Sequence, residues 1–311
     1  MFFKHLHLYR VHDQQAVASA DIYELLLRNE SKPLGSIDAR RMGWVAPTGR
    51  LSNGGLIFYS QGHMLLTALR QERILPASVV KEEVEEQVAD IEQREGRKVA
   101  RKEKTALKEQ VTESLLPRAF VKSQRIDLWW DTERNILGIN TSSRNRAEDV
   151  LDLLRETLGS LKVTPLSTQQ LPVRAMTTWL GDPGSRPADM VIGDSVLLKA
   201  KGDDGVVRGR QVDLDSDEMQ QLLESGKQVA QMDLEIEGQL SFVMHDDLAL
   251  KSLRFGDALI EQADSMDDGD DALLRFETDF VIMAGCLRDS VARITEWLGG
   301  ENVSTNASEE S

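Results

Sequence analysis

Apolar and polar residues alternate from Phe2 to Val11 (FFKHLHLYRV), the two-residue period of a half-buried strand. His5 and His7 then share a face, with His12 nearby; no third metal ligand is indicated, so strand histidines are expected. The period changes after Asp13, a candidate cap for a helix carrying Val17, Ile22, Leu25 and Leu26. Arg40 to Gly49 reads as a loop with an anchored Trp44, and Leu56–Ser60 with His63–Leu69 as a hairpin around Gly62. Pro76 opens a long helical stretch in which Val84, Val88 and Ile91 form a packing stripe. Pro117 should end it, before a second hairpin of Val121–Asp131 and Ile136–Asn140 turning at Thr132–Asn135. A helix over Arg144–Leu158 follows, with Val150, Leu151, Leu154 and Leu158 inward and Gly159 as its stop.

Pro172, Pro183, Gly184 and Pro187 mark Thr168–Gly193 as the boundary or linker. Beyond it the pattern predicts strands at Ser195–Ala200, Gly205–Val212, Lys227–Glu235 and Leu240–Met244, and a tight turn at 202–205. A helix near Asp215–Ser225 has Asp215 and Glu218 at capping-box spacing. The acidic run from Asp257 to Asp271 lacks the calcium-loop spacing and reads as a solvated linker, and an amphipathic helix is predicted over Asp279–Leu298. The fold class is therefore α+β, multi-domain, with antiparallel sheets and an inserted helical arm. Residues 1–75 and 117–170 form the central body, 76–116 the arm that ends in a tip, and 171–311 an acidic C-terminal α+β domain with a disordered tail from about residue 301.

Charge changes how the arm is read. Taken as one helix through Gly96, at about 100° per residue, Arg94, Arg97, Lys98, Arg101, Lys104 and Lys108 fall within about 120° of one another. Most charge runs only solvate a helix face. Here, however, the chain of 311 residues has a net charge of −15, and residues 171–311 alone contribute −17. A pI of about 4.9 is unlike that of most nucleic-acid binders. Any polyanion would have to meet a local basic surface held away from an acidic body, and the arm with the turn after Pro117 is that candidate.

A composition of 41% hydrophobic and 29% charged residues suits two or so globular domains. The lone Cys286 lies in an apolar segment, which rules out an intramolecular disulfide and fits a reducing compartment. With no membrane-length apolar run and no signal-peptide pattern, a cytosolic location is expected. Phosphate-binding, dinucleotide, zinc-protease and nucleophile-elbow motifs are all missing, so neither catalytic residues, nor a metal, nor a cofactor is expected.

The chain resembles the RdgC family of bacterial recombination-associated proteins over essentially its whole length. The resemblance rests on Met42-Gly-Trp44-Val-Ala-Pro47, Ile74-Leu-Pro76, Ser114-Leu-Leu-Pro117-Arg118-Ala-Phe120, Ala147-Glu-Asp149, Leu153-Leu-Arg155 and Ser160-Leu161. Later in the chain it rests on Gly205-Val-Val-Arg208, Glu224-Ser-Gly226-Lys227 and Phe242-Val-Met244. It implies a non-enzymatic, nucleoid-associated protein that encircles double-stranded DNA as a ring-shaped homodimer and limits strand exchange by a RecA-type recombinase. Basic residues would line the hole and track phosphates without reading bases. Candidate DNA contacts are Arg97, Lys98, Arg101, Lys104, Arg118, Lys122, Arg208, Arg210, Gln211 and Lys227. Phe120 is assigned to closing the ring at the dimer interface, with stacking on a base as its other role. The rival reading is an interaction module that binds the recombinase through its acidic surface. A metal-dependent nuclease is a weaker third.

Overall fold

The computed structural model describes residues 2–12, 22–51, 55–200, 205–265 and 271–302. The Asp13 cap, Val17, most of the 202–205 turn, Asp267, Asp268, Asp270 and the tail from 303 lie outside the described residues. The first half supplies strands β1 (His5–Val11), β2 (Arg40–Val45), β3 (Phe58–Ser60), β4 (His63–Ile74), β5 (Phe120–Asp131), β6 (Ile136–Ile139) and β7 (Val163–Pro165). The second supplies β8 (Met190–Ala200), β9 (Val206–Gly209), β10 (Lys227–Ile236), β11 (Leu240–His245) and β12 (Leu250–Phe255). The helices among the described residues are α1 (Ile22–Arg28), α2 (Ala77–Glu95), α3 (Arg101–Leu115), α4 (Arg144–Leu158), α5 (Pro172–Gly181), α6 (Asp217–Glu224), α7 (Asp257–Ser265) and α8 (Ala272–Trp297).

The class is α+β, as expected, with the strands in one antiparallel sheet ordered β2-β4-β5-β6-β1-β12-β11-β10-β8-β9, while β3 pairs β4 and β7 pairs β1. β1 joins the two halves. Its His5 and Leu6 pair with Lys251 and Leu250 of β12, whereas His7 to Arg10 pair with Ile139 to Ile136 of β6. One core, with Trp44, Ile126, Trp130 and Leu137, includes Leu26 of α1 and Val150, Leu151 and Leu154 of α4. A larger core joins Leu8, Leu65 and Trp129 to Met232, Phe242 and Met244 of the C-terminal strands and to the buried stripe Phe280, Met283, Leu287, Val291 and Ile294 of α8. It runs without a break across the boundary expected near residue 170.

Several expectations need correction. The arm is not one helix: α2 ends at Gly96, whose φ of 63° is left-handed, and the chain folds back as α3, so Val80 and Val84 pack on Val111. The loop at 40–49 begins as strand β2, because the Trp44 backbone bonds both Asn29 and Ser31 beside the β4 ladder. The linker at 168–193 contains α5, whose Ala175, Met176, Trp179 and Leu180 are buried in the larger core. Thr177 Oγ1 there accepts a bond from the Val229 N–H of β10 at 2.9 Å. The helix near 215 is capped from Ser216 rather than Asp215, without a side-chain cap bond. The segment 257–265 is helical rather than a linker, and α8 starts at Ala272, where the Asp271 carboxylate accepts from Leu273 and Leu274 N–H.

Candidate nucleic-acid interface

In the C-terminal half, alternate residues Val196, Met232, Phe242, Met244, Leu250 and Phe255 are buried against the helices. The other alternation faces away from them. Cα partners run across that open face from Arg208 to Leu197, Gln231 and His245, and in a neighbouring row from Asp233 to Val243, Lys251 and His5. Ser241 and Arg254 form a third pair. The face is not flat. Register shifts occur at Val229/Gln231, Met232/Leu234 and Ser241/Val243, and Gln211 and Ser252 have left-handed φ of 53° and 55°. Such bulges re-aim side chains, and unfavourable backbone conformations concentrate at binding sites.

A groove of about 760 Å³ opens on this face, lined by Lys4, His5, Asp194, Arg210, Gln211, Asp233, Ser252 and Arg254 among others. A second hollow of about 210 Å³ shares Ser195, Arg210 and Val243 with it and adds Arg208 and Gln231. Among the described residues Lys4, Arg208, Arg210 and Lys251 make no ion pair, so their charge is free for a ligand. The histidines register the local field. Burial, then Lys251 and Lys4, lowers His5, and burial with Lys251 lowers His245 to about 4 against the opposing pull of Asp247.

Of the sequence-derived candidates, Arg210 and Gln211 thus line the groove, and Arg208 lines the adjoining hollow, which shares Arg210. Lys227 opens β10 opposite Ala200, beyond the bulge at Ala230, and lines neither hollow. Lys4, Lys251 and Arg254 were missed. The alternation of Leu250, Leu253 and Phe255 inward with Lys251 and Arg254 outward was the signal for β12.

The remaining candidates sit on the arm and at the turn and strand that follow it. Arg97 is held by Glu95 at 2.7 Å and Glu103 at 2.9 Å, and the Glu103 hydrogen bond is the main cause of its raised pKa. Lys98, Arg101 and Lys104 are exposed around the hairpin tip, and Arg118 and Lys122 flank the turn where Pro117 ends the helical run in a single 3₁₀ turn. Arg73, which the sequence did not single out, donates to the carbonyls of Gly35, Asp38, Pro117 and Ala119 and fixes that turn. Phe120 beside it is 85% exposed, paired across the ladder with exposed Ile74 and next to exposed Val121. An apolar patch of this kind suits a protein interface.

The family model described as "Putative exonuclease, RdgC" matches residues 1–301. The recombination-associated protein RdgC of Pasteurella multocida is 39% identical over 302 residues, covering 97% of this chain and 98% of its own. Those of Actinobacillus succinogenes and Proteus mirabilis are 38% and 36% identical, with 96% and 97% of this chain aligned and 98% and 99% of theirs. The chain belongs to the RdgC family. These RdgC relatives are named for recombination, so the basic groove lies in a protein of a recombination-associated family. Among the described residues no three His, Cys, Asp or Glu side chains come together to hold a metal ion, and no helix is long and apolar enough to cross a membrane. Cys286 is buried beside Ser290, with its thiol pushed up to about 11 by burial, which leaves it without thiolate character at neutral pH.

Proposed function

We propose that this protein binds double-stranded DNA through its phosphates, without sequence preference, and that two copies close a ring around the duplex. The observation that carries this reading is the set of cations Lys4, Arg208, Arg210 and Lys251, without ion pairs among the described residues, on one open sheet face of a strongly acidic protein. Membership of the RdgC family supports it. Repulsion elsewhere would confine a polyanion to that face. Phe120, Ile74 and Val121 close the homodimer, and Lys98, Arg101, Lys104, Arg118 and Lys122 guide the strand. By occupying DNA at the nucleoid in the cytoplasm, the ring limits exchange by a RecA-type recombinase. We read the protein as a binder rather than an enzyme, in keeping with the relatives' names.

The test is fluorescence anisotropy of a labelled duplex of arbitrary sequence across a salt series. With six to ten phosphates neutralised, affinity should fall by about 10³–10⁵ between 50 and 200 mM salt. The slope should become shallower in the double variant Arg208→Ala/Arg210→Ala, and sedimentation should find Phe120→Ala shifted toward monomer. A strong preference for one sequence, or Mg²⁺-dependent cleavage of the probe, would overturn the reading. The rival reading, recombinase capture by the acidic surface, draws on the −17 charge of residues 171–311; it would be favoured by an absence of duplex binding at low salt.

A further inference from the structure

Two carboxylates in the groove, Asp194 and Asp233, have the opposite sign to its cations, and Asp233 is the one seated at a bulge. Asp233 lines the groove together with Lys4, Arg210 and Arg254. It stands on β10 where the register with β8 shifts, between Met232 opposite Val196 and Leu234 opposite Ile192. The bulge turns its carboxylate over Gly193, where a Cβ would lie 2.5 Å from Oδ2, so only glycine leaves it that place. Among the described residues it has neither a hydrogen bond nor an ion pair. Asp194 and Glu235 face it from β8 and β10, Arg254 and Lys251 from β12, and His5 from β1. Burial pushes its carboxyl up, with Arg254 opposing and Asp194 and Glu235 adding. The ionised form is thus disfavoured by the fold: this contribution to stability is complete below the unfolded carboxylate range and is lost as pH rises through the raised folded value.

An unpaired carboxylate that costs stability also repels phosphate. Building on the reading of this face as the duplex site, we propose that Asp233 is an affinity-limiting residue whose carboxylate, seated over Gly193 amid the groove's cations, weakens the grip on the DNA backbone and keeps bound protein exchangeable.

The experiment is duplex titration of the full chain as wild type, Asp233→Asn, Arg208→Ala and Glu237→Gln, with thermal unfolding of each. Asp233→Asn should bind about three- to tenfold tighter, the scale of one unit charge near a phosphate, and melt higher than wild type. Glu237→Gln removes the same charge from the exposed turn after β10 and should change affinity much less. Unchanged or weaker binding by Asp233→Asn, while Arg208→Ala still loses affinity, would overturn the proposal and leave the DNA-binding face standing. Equal tightening by Glu237→Gln would reduce the effect to net charge and likewise overturn it. Should Asp233→Asn fail to fold, Asp194→Asn provides the same comparison, with tightening expected and no change counting against. Absence of duplex binding by every variant at low salt would instead remove the DNA-binding reading itself.

Discussion

Thr157 makes three hydrogen bonds at once. Its Oγ1 accepts from Trp44 Nε1 at 2.8 Å and Asn29 Nδ2 at 3.2 Å, and donates to the Leu153 carbonyl at 2.7 Å. Thr157→Val keeps the shape and removes the oxygen, leaving the indole N–H of fully buried Trp44 without an acceptor. Such a loss costs about 1–3 kcal/mol, which chemical denaturation would record as a lower midpoint; an unchanged midpoint would mean that the hydroxyl is dispensable. The anchoring of Trp44 was legible in the sequence. Its partner was not, because a helix residue 113 positions away gives no local signal of that contact. Arg73 was hidden for the same reason: nothing in the pattern of β4 announces that one guanidinium binds four carbonyls and thereby presents Phe120.

At the scale of elements, α4 matched its sequence reading residue for residue, with Ser143 accepting the cap bond from Arg146 N–H and Gly159 following its end. A full amphipathic period between two punctuating residues over-determines a helix. The arm failed because its period continued through Gly96 while one left-handed residue reversed the chain. Charge is consequently sorted between two antiparallel helices, α2 mostly acidic and α3 with the tip basic, rather than by the face of one. Gly96→Ala meets open space but keeps the left-handed strain, so the turn should weaken by about 1 kcal/mol. Amide exchange should quicken around 92–103 while global unfolding stays put, since the arm's core is only Val80, Val84 and Val111 with its fringe. A gain in helix content would show instead that the two helices fuse.

For the whole molecule, acid should act through buried histidines. Burial lowers His7, His63 and His245, the last to about 4, and His63 accepts from Trp129 Nε1 at 3.2 Å. All three are neutral in the fold and take up a proton on unfolding. Stability is therefore complete above the ordinary value of 6.5 and declines as pH falls toward 4. Melting temperature followed over that interval should drop steadily; a flat profile would contradict the burial argument. The α+β class, the strongly periodic helices and hairpins, the family and the acidic balance could be read from the residues in order, because period, punctuation and charge are local or additive. The tertiary structure decided which strands are neighbours. It brought the start of β1, the end of β9 and β12 to one open face, so that Lys4, Arg210 and Arg254 share a groove with Asp233. It also bound the fully buried Asp131 to Arg288 of α8, 157 residues on, at 2.6 and 2.9 Å. A two-residue period tells a side chain which face to take, but strand order and helix docking follow from burying the shared core, and that is a property of the whole chain.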